Sequence, residues 1–194
     1  MSDAPDAEPS EPGAGRVAYQ GAPGAFSHAA CAALRPWDVA VPFETFEAAI
    51  EAVQSGDCAS ALIPVENAII GTVEPAASLV AASGLAIAAD VWRPIRLALM
   101  AVPGASLSSV KRAHSHPAAL KQCVGTLKDM GIVAEEAFDT AGAARDVAKA
   151  RDRTRAAVAP APAAEIYGLR ILRNDIQDSD DNRTRFVLLT RPEG

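Results

Sequence analysis

From Arg16 onward the chain alternates short apolar runs with longer stretches that repeat at the helical period, and no other feature limits the possible folds so strongly. The short runs at 17–19, 39–41, 59–65, 85–91, 95–102, 132–138, 156–159 and 184–189 read as strands, and 59–65 is apolar but for Ser60, as in a strand covered on both faces. Helices are expected at 27–34, from the Thr45 cap to Gly56, from Pro75 to Gly84, at 140–150 and at 161–167. The clearest helix starts at Pro117, where Leu120, Cys123, Val124, Leu127 and Met130 form an apolar stripe that Gly131 ends. Alternating β and α elements imply a parallel or mixed α/β sheet. Nine or so strands are many for one small sheet, so two α/β lobes are expected. One is about 16–94 plus 180–194 and the other about 95–179, with crossings near 92–96 and 177–183. The central cleft between them is where a small ligand would bind.

Charge and cysteine usage narrow the class. Residues 1–15 hold Asp3, Asp6, Glu8 and Glu11, three prolines and no base, which reads as a disordered acidic tail. Without them 20 acids face 18 bases, so the remainder offers no field for nucleic acid. The basic run at 149–155 ends a helix, where cations suit the dipole. No run of apolar residues is long enough to span a membrane, and no secretory leader is evident. Cys31, Cys58 and Cys123 are odd in number and widely spaced, which fits neither a disulfide framework nor a zinc site. A reduced, cytoplasmic protein is the expectation.

Few residues have the chemistry for catalysis. His114 and His116 fall on one strand face but lack a third metal ligand at matching spacing, and His116 can cap the helix that begins at Pro117. Gln122 points about 200° away from Leu120 by the helical period, and Ser115 precedes it by roughly two turns, so both can face one side. No acid stands behind either histidine to complete a Ser-His-Asp triad. Glu66 and Asn67 leave the buried strand just before a turn at Gly71 and Thr72, and carboxyl ends of strands are where ligands sit. An Asx-turn with a glycine hinge would need the same residues. Asp139 and Thr140 open a helix whose free N–H groups favour anions. Neither a G-x-G-x-x-G string nor a Walker A loop is present, so nucleotide binding is unsupported. Arg185 could pair with Asp175, Asp178, Asp180 or Asp181, or could clamp a carboxylate bidentately.

Taken together, these strings resemble the catalytic domain of the prephenate dehydratase family across residues 16–192. They are Ala18-Tyr-Gln-Gly-Ala-Pro-Gly-Ala-Phe-Ser27, Ile63-Pro-Val-Glu-Asn67, Gly71-Thr-Val73, His114-Ser-His-Pro117 with Gln122-Cys123, Asp139-Thr-Ala-Gly-Ala-Ala144, Ala163-Ala-Glu-Ile-Tyr-Gly-Leu169 and Asn182-Arg-Thr-Arg-Phe186. The resemblance implies a two-lobed, type II periplasmic-binding-protein-like fold. It implies a lyase reaction of L-phenylalanine biosynthesis, in which prephenate loses CO2 and water to give phenylpyruvate. Aromatisation drives that reaction, so no cofactor and no metal are expected.

By the same resemblance Thr184 is the proton donor, with Asn67, Ser115 and Gln122 as its catalytic neighbours. Arg185, Phe186, Gly71, Thr72, Glu66, Ser27 and Thr140 are the candidate substrate-binding residues. A homodimer or higher homo-oligomer is also implied. Ala68 and Ala25 stand where the family often carries hydroxyls, which bears on substrate choice. Arogenate dehydration, a non-aromatising prephenate decarboxylase and a small-anion binding module are the rival readings; the retained Thr184 argues against the decarboxylase. Many family members continue into a small phenylalanine-binding ACT domain, and none is expected within these 194 residues.

Overall fold

A computed structural model describes residues 15–192. Of the acidic tail expected at 1–15, all but Gly15 lies outside the described residues. In chain order the first elements are β1 (Arg16–Gln20), α1 (Phe26–Leu34), β2 (Val39–Phe43), α2 (Phe46–Gln54), β3 (Ser60–Asn67), β4 (Gly71–Thr72), α3 (Ala76–Ala82) and β5 (Ala86–Pro94). They are followed by β6 (Ala98–Ala101), β7 (Arg112–Ser115), α4 (Pro117–Lys121), α5 (Val124–Asp129), β8 (Val133–Glu136) and α6 (Thr140–Ala150). The last are β9 (Arg155–Ala159), α7 (Pro162–Tyr167), β10 (Arg170–Arg173) and β11 (Arg183–Thr190).

The strands form two mixed sheets, so the α/β expectation holds. The first has the order β2-β1-β3-β11-β5, with β4 on β3, and β11 runs antiparallel between β3 and β5. The second has the order β10-β6-β9-β7-β8, with β7 parallel to β8 and β9. In the first sheet both faces are covered. Ile63, Val187 and Leu189 pack with Ala49, Ile50 and Val53 of α2, while Leu62, Phe186 and Leu188 pack with Ala30 and Cys31 of α1. Buried Ile50 and Val53 each contribute about 1.5–3 kcal/mol of transfer free energy. The second sheet uses small residues: Ala98, Ala157 and Ala159 meet Ala143, Ala144 and Val147 of α6 and Ala163 of α7.

The chain passes between the sheets twice, after β5 and before β11, and the two passages are stitched together. Ile95 donates its backbone N–H to Asn182 (2.9 Å), Ile176 donates to the carbonyl of Leu97 (2.9 Å), and Leu97 donates to the Gln177 side-chain oxygen (2.9 Å). Arg96 pairs with Asp180, so the acidic loop is met by this arginine and not by Arg185.

Three elements differ from their expected form. The long helix expected from Pro117 is two short ones, α4 and α5, broken at Gln122 and Cys123, and at Cys123 the backbone leaves helical geometry (φ −124°, ψ 13°). Asp178 causes the break: its N–H takes the Gln122 carbonyl (2.7 Å), and its carboxylate accepts from the N–H groups of Gly125 and Thr126 (both 2.8 Å). That carboxylate caps α5 in place of a helical neighbour. Val124 consequently leaves the buried stripe and is 58% exposed. β10 was not legible as a strand because only Ile171 and Leu172 lie between two arginines, and it forms an edge. The two-residue β4 stands where the sequence predicts a turn.

Candidate active site

β3 and β11 end side by side at the cleft, in register, with Asn67 opposite Thr184. The cavity between the lobes is about 810 Å³. Asn67, Ile69, Ile70 and Thr184 line it from the first lobe. His116, Lys121, Gln122, Asp139 and Thr140 line it from the second, and Asp178 and Asn182 from the crossing segment.

At its centre is a run of side-chain hydrogen bonds. The Asn67 amide donates to the Thr184 hydroxyl oxygen (3.0 Å) and to the Asn182 amide oxygen (2.8 Å). Asn67 Oδ1 accepts from the backbone N–H groups of Ile69 (2.9 Å) and Ile70 (3.1 Å), which fixes which end of the amide faces Thr184. Asn182 in turn donates to Gln122, whose own amide donates to the Ala118 carbonyl (3.0 Å). Because Asn67 fills an acceptor position on Thr184, the threonine keeps its own proton free for a group in the cleft. The same N–H would stabilise an alkoxide left behind.

The cleft therefore brings together Thr184, Asn67, Gln122 and Thr140. Other sequence candidates lie elsewhere. Ser115 is fully buried and donates to the Val158 carbonyl (2.6 Å), tying β7 to β9 beneath the cleft. Its neighbour His116 faces the cleft and caps α4 by accepting from the Ala118 N–H (3.1 Å). Gly71 and Thr72 form β4 beside Asn67 and Glu66; they hold the turn that presents Ile69 and Ile70, and do not line the cavity. At Gly71 φ is +81°, a conformation that favours glycine. Ser27 is buried in α1 and does not line the cavity, although the adjacent Phe26 does. Phe186 is 2% exposed and packs in the core with Val17, Tyr19 and Leu62.

Arg185 does not reach the cleft as a carboxylate clamp. Successive side chains of a strand point to opposite faces, so with Thr184 turned into the cleft its neighbour is turned away. Arg185 is instead held by Asp90 (Nε to Oδ1, 2.7 Å) and Glu66 (Nη1 to Oε2, 3.3 Å). The hydrogen bond from Arg185 holds the Asp90 carboxyl below its ordinary range. Exposed pairs of this kind are screened by water and contribute little to stability. Arg185→Met should therefore change the KM for a carboxylate substrate by less than about threefold, against about tenfold or more for loss of a charge-assisted bond worth about 1.5 kcal/mol or more. Steady-state kinetics check this, and a tenfold rise in KM would place Arg185 at the substrate.

One carboxylate at the cleft and two histidines away from it titrate outside their ordinary ranges. Burial pushes the Asp178 carboxyl up, but the Gly125 and Thr126 N–H groups and the Thr126 hydroxyl together outweigh it and hold it below the ordinary range. His114 sits on β7, where Arg155 Nε donates to its Nε2 (3.0 Å), a contact only the neutral imidazole accepts. Burial lowers its pKa from 6.5, and the Arg155 charge lowers it further; burial also lowers that of His28. The unfolded chain binds protons on these imidazoles as pH falls through 6.5, while the folded chain resists them, so stability drops on acidification. The urea midpoint should be lower at pH 5.5 than at pH 7.5, and a His28→Asn, His114→Asn variant should flatten the slope. An unchanged slope in that variant would contradict this account.

Among the described residues no group of three or more His, Cys, Asp or Glu is placed to hold a metal ion, and no helix is long and apolar enough to cross a membrane. The sequence assigns Asn182 no site role, gives His116 only a capping one and offers Asp178 only as an ion-pair partner. Asn182 stands two positions before Thr184 within the string quoted above, which was the available signal.

Comparison with known proteins agrees with this geometry. The sequence model of the family described as prephenate dehydratase matches residues 17–194. A protein of Arabidopsis thaliana named arogenate dehydratase/prephenate dehydratase 6, chloroplastic, is 45% identical over 178 residues, covering 91% of this chain and 43% of its own length. A bifunctional N-acyl-homoserine lactone acylase/prephenate dehydratase of Komagataeibacter europaeus is 37% identical, over 90% of this chain and 62% of its length. The crystal structure of prephenate dehydratase from Arthrobacter aurescens in complex with L-Phe superimposes with a TM-score of 0.81 at 30% identity, covering 92% of this chain and 61% of that one. This chain spans less than half the length of the Arabidopsis relative.

The fold and the site define a two-lobed α/β protein whose cleft offers hydroxyls and three carboxamides to a small polar molecule. The chain belongs to the prephenate dehydratase family.

Proposed function

We propose that this chain is a carbon–oxygen lyase that converts prephenate to phenylpyruvate, CO2 and water, serving L-phenylalanine biosynthesis. The observation that carries the reading is the Asn67 N–H bonded to the Thr184 hydroxyl inside the cleft. As the ring C–CO2 bond breaks, its electron pair enters the ring and expels the 4-hydroxyl. Thr184 gives that oxygen a proton, water leaves, and the alkoxide held by Asn67 regains a proton from solvent. A threonine hydroxyl is a weak acid, and the donated N–H is what makes the transfer accessible. Lys121 supplies positive potential for the carboxylates. The apolar wall of Phe26, Ile69, Ile70 and Ile95 supports desolvation of the carboxylate that departs. The three cysteines are buried thiols, in keeping with the reducing environment of the cytoplasm.

One observation favours arogenate as a second substrate. Asp139 and Asp178 line the cleft, and a carboxylate there is a partner for the ammonium that arogenate carries in place of the keto group. Supplying prephenate and arogenate separately to the purified protein, and following phenylpyruvate and phenylalanine, tests both. No aromatic product from either substrate would overturn the assignment. A decarboxylated, non-aromatic product would make it a decarboxylase.

A further inference from the structure

Four side chains from three segments of the chain meet at the cleft, and one of them belongs to none of the roles above. Asn182 is 3% exposed and stands in the passage that returns the chain to the first lobe. Its backbone is fixed there, since its carbonyl accepts from the Ile95 N–H (2.9 Å). Both ends of its amide are used: Nδ2 donates to Gln122 Oε1, and Oδ1 accepts from Asn67 Nδ2 (2.8 Å). Gln122 belongs to the second lobe, Asn67 and Thr184 to the first. The three carboxamides run head to tail, with the Ala118 carbonyl at one end and the backbone N–H groups of Ile69 and Ile70 at the other. That polarity leaves each amide one orientation, because reversing any of them would set oxygen against oxygen.

We propose that Asn182 is a positioning residue for the dehydration step: it holds the Asn67 amide so that its N–H points at the Thr184 oxygen, and it makes that alignment depend on the second lobe being in place. Asn67 has two amide hydrogens. With one committed to Asn182, the other is aimed at Thr184; the Ile69 and Ile70 N–H groups keep the amide from reversing, but without Asn182 its N–H groups can swing from Thr184 toward the Arg183 carbonyl (3.2 Å). The inference rests on the reaction proposed above, and its readouts separate failure of the one from failure of the other.

In Asn182→Ala, kcat should fall about 10- to 100-fold with KM within about threefold, the signature of an alignment lost from the transition state. A double-mutant cycle adds the decisive comparison. In an Asn67→Ala background the same change should cost less than about twofold, because the group being aligned is gone. Unchanged kcat in Asn182→Ala, or losses that multiply in the double variant, would overturn the proposal. If Asn182→Ala does not fold by circular dichroism, Asn182→Ser is read in the same way. Independently of catalysis, the Asn67 side-chain amide signal, assigned by its loss in Asn67→Ala, should exchange with solvent at least about tenfold faster in the Asn182 variant. Unchanged exchange overturns the positioning role even if the natural substrate proves to be another. A wild-type chain that makes no aromatic product overturns the function and leaves the exchange measurement standing.

Discussion

Replacing Thr184 with valine is expected to lower kcat by about 10²- to 10⁴-fold, the range a general acid contributes, while the protein keeps its fold. Valine has nearly the same shape and the same preference for a strand, so β11 stays between β3 and β5. The Asn67 amide loses one acceptor but keeps the Asn182 oxygen and the Arg183 carbonyl (3.2 Å), so little instability follows. Thr184→Ser retains the hydroxyl and loses the methyl that restricts its rotation, so activity within about tenfold of the parent is expected. Steady-state assays and melting curves for both variants check this. Turnover at half the parent rate in the valine variant would remove Thr184 from the reaction.

The largest loss of stability from one small change is expected at Gly24. There φ is +89°, and a Cβ built on this backbone would lie 3.0 Å from the Cβ and 3.1 Å from the Cα of Ala163. Left-handed strain costs about 1–2 kcal/mol, and overpacking against a helix backbone adds about 1–3 kcal/mol. Gly24→Ala should therefore lose about 2–4 kcal/mol, read as a lower denaturant midpoint at unchanged slope. The contact is between lobes: Gly24 lies in the first, Ala163 in α7 of the second, and Tyr167 reaches back to donate its hydroxyl to the Pro23 carbonyl (2.6 Å). Lowered substrate affinity should accompany the lost stability, because pushing α7 away spreads the walls of the cleft. An unchanged midpoint would mean that α7 yields at no cost.

Most of the element order was legible because each strand–helix unit carries its own signals. Thr45 does cap α2, accepting from the Ala48 N–H (3.1 Å), and Gly56 and Gly84 do follow helices in left-handed conformations. The break between α4 and α5 was not legible, because its cause, Asp178, lies 53 residues beyond Gly125. At the cleft, Thr184, Asn67 and Gln122 are found together, as the motifs implied. Arg185 could have been set aside from the sequence alone. In a strand it cannot share a face with Thr184, and the period-two rule that reveals the strand also separates the two residues. Ser115 offered no such signal, since the same serine on a strand end serves equally to line a cleft or to bind the carbonyl of Val158 underneath.

The placement of β11 has a consequence for how the protein is made. This strand lies between β3 and β5, and the Thr184 it carries meets Asn67 from 117 positions further along the chain. Closing so long a loop is slow, and the first sheet has nothing to join β3 to β5 until it happens. A nascent or proteolysed fragment ending before Arg183 would expose two strand edges prone to pairing with other chains. It would also lack the hydroxyl proposed to drive aromatisation. Completion of the sheet and arrival of the reactive group are thus one folding event, so an unfinished molecule is inert as well as unstable.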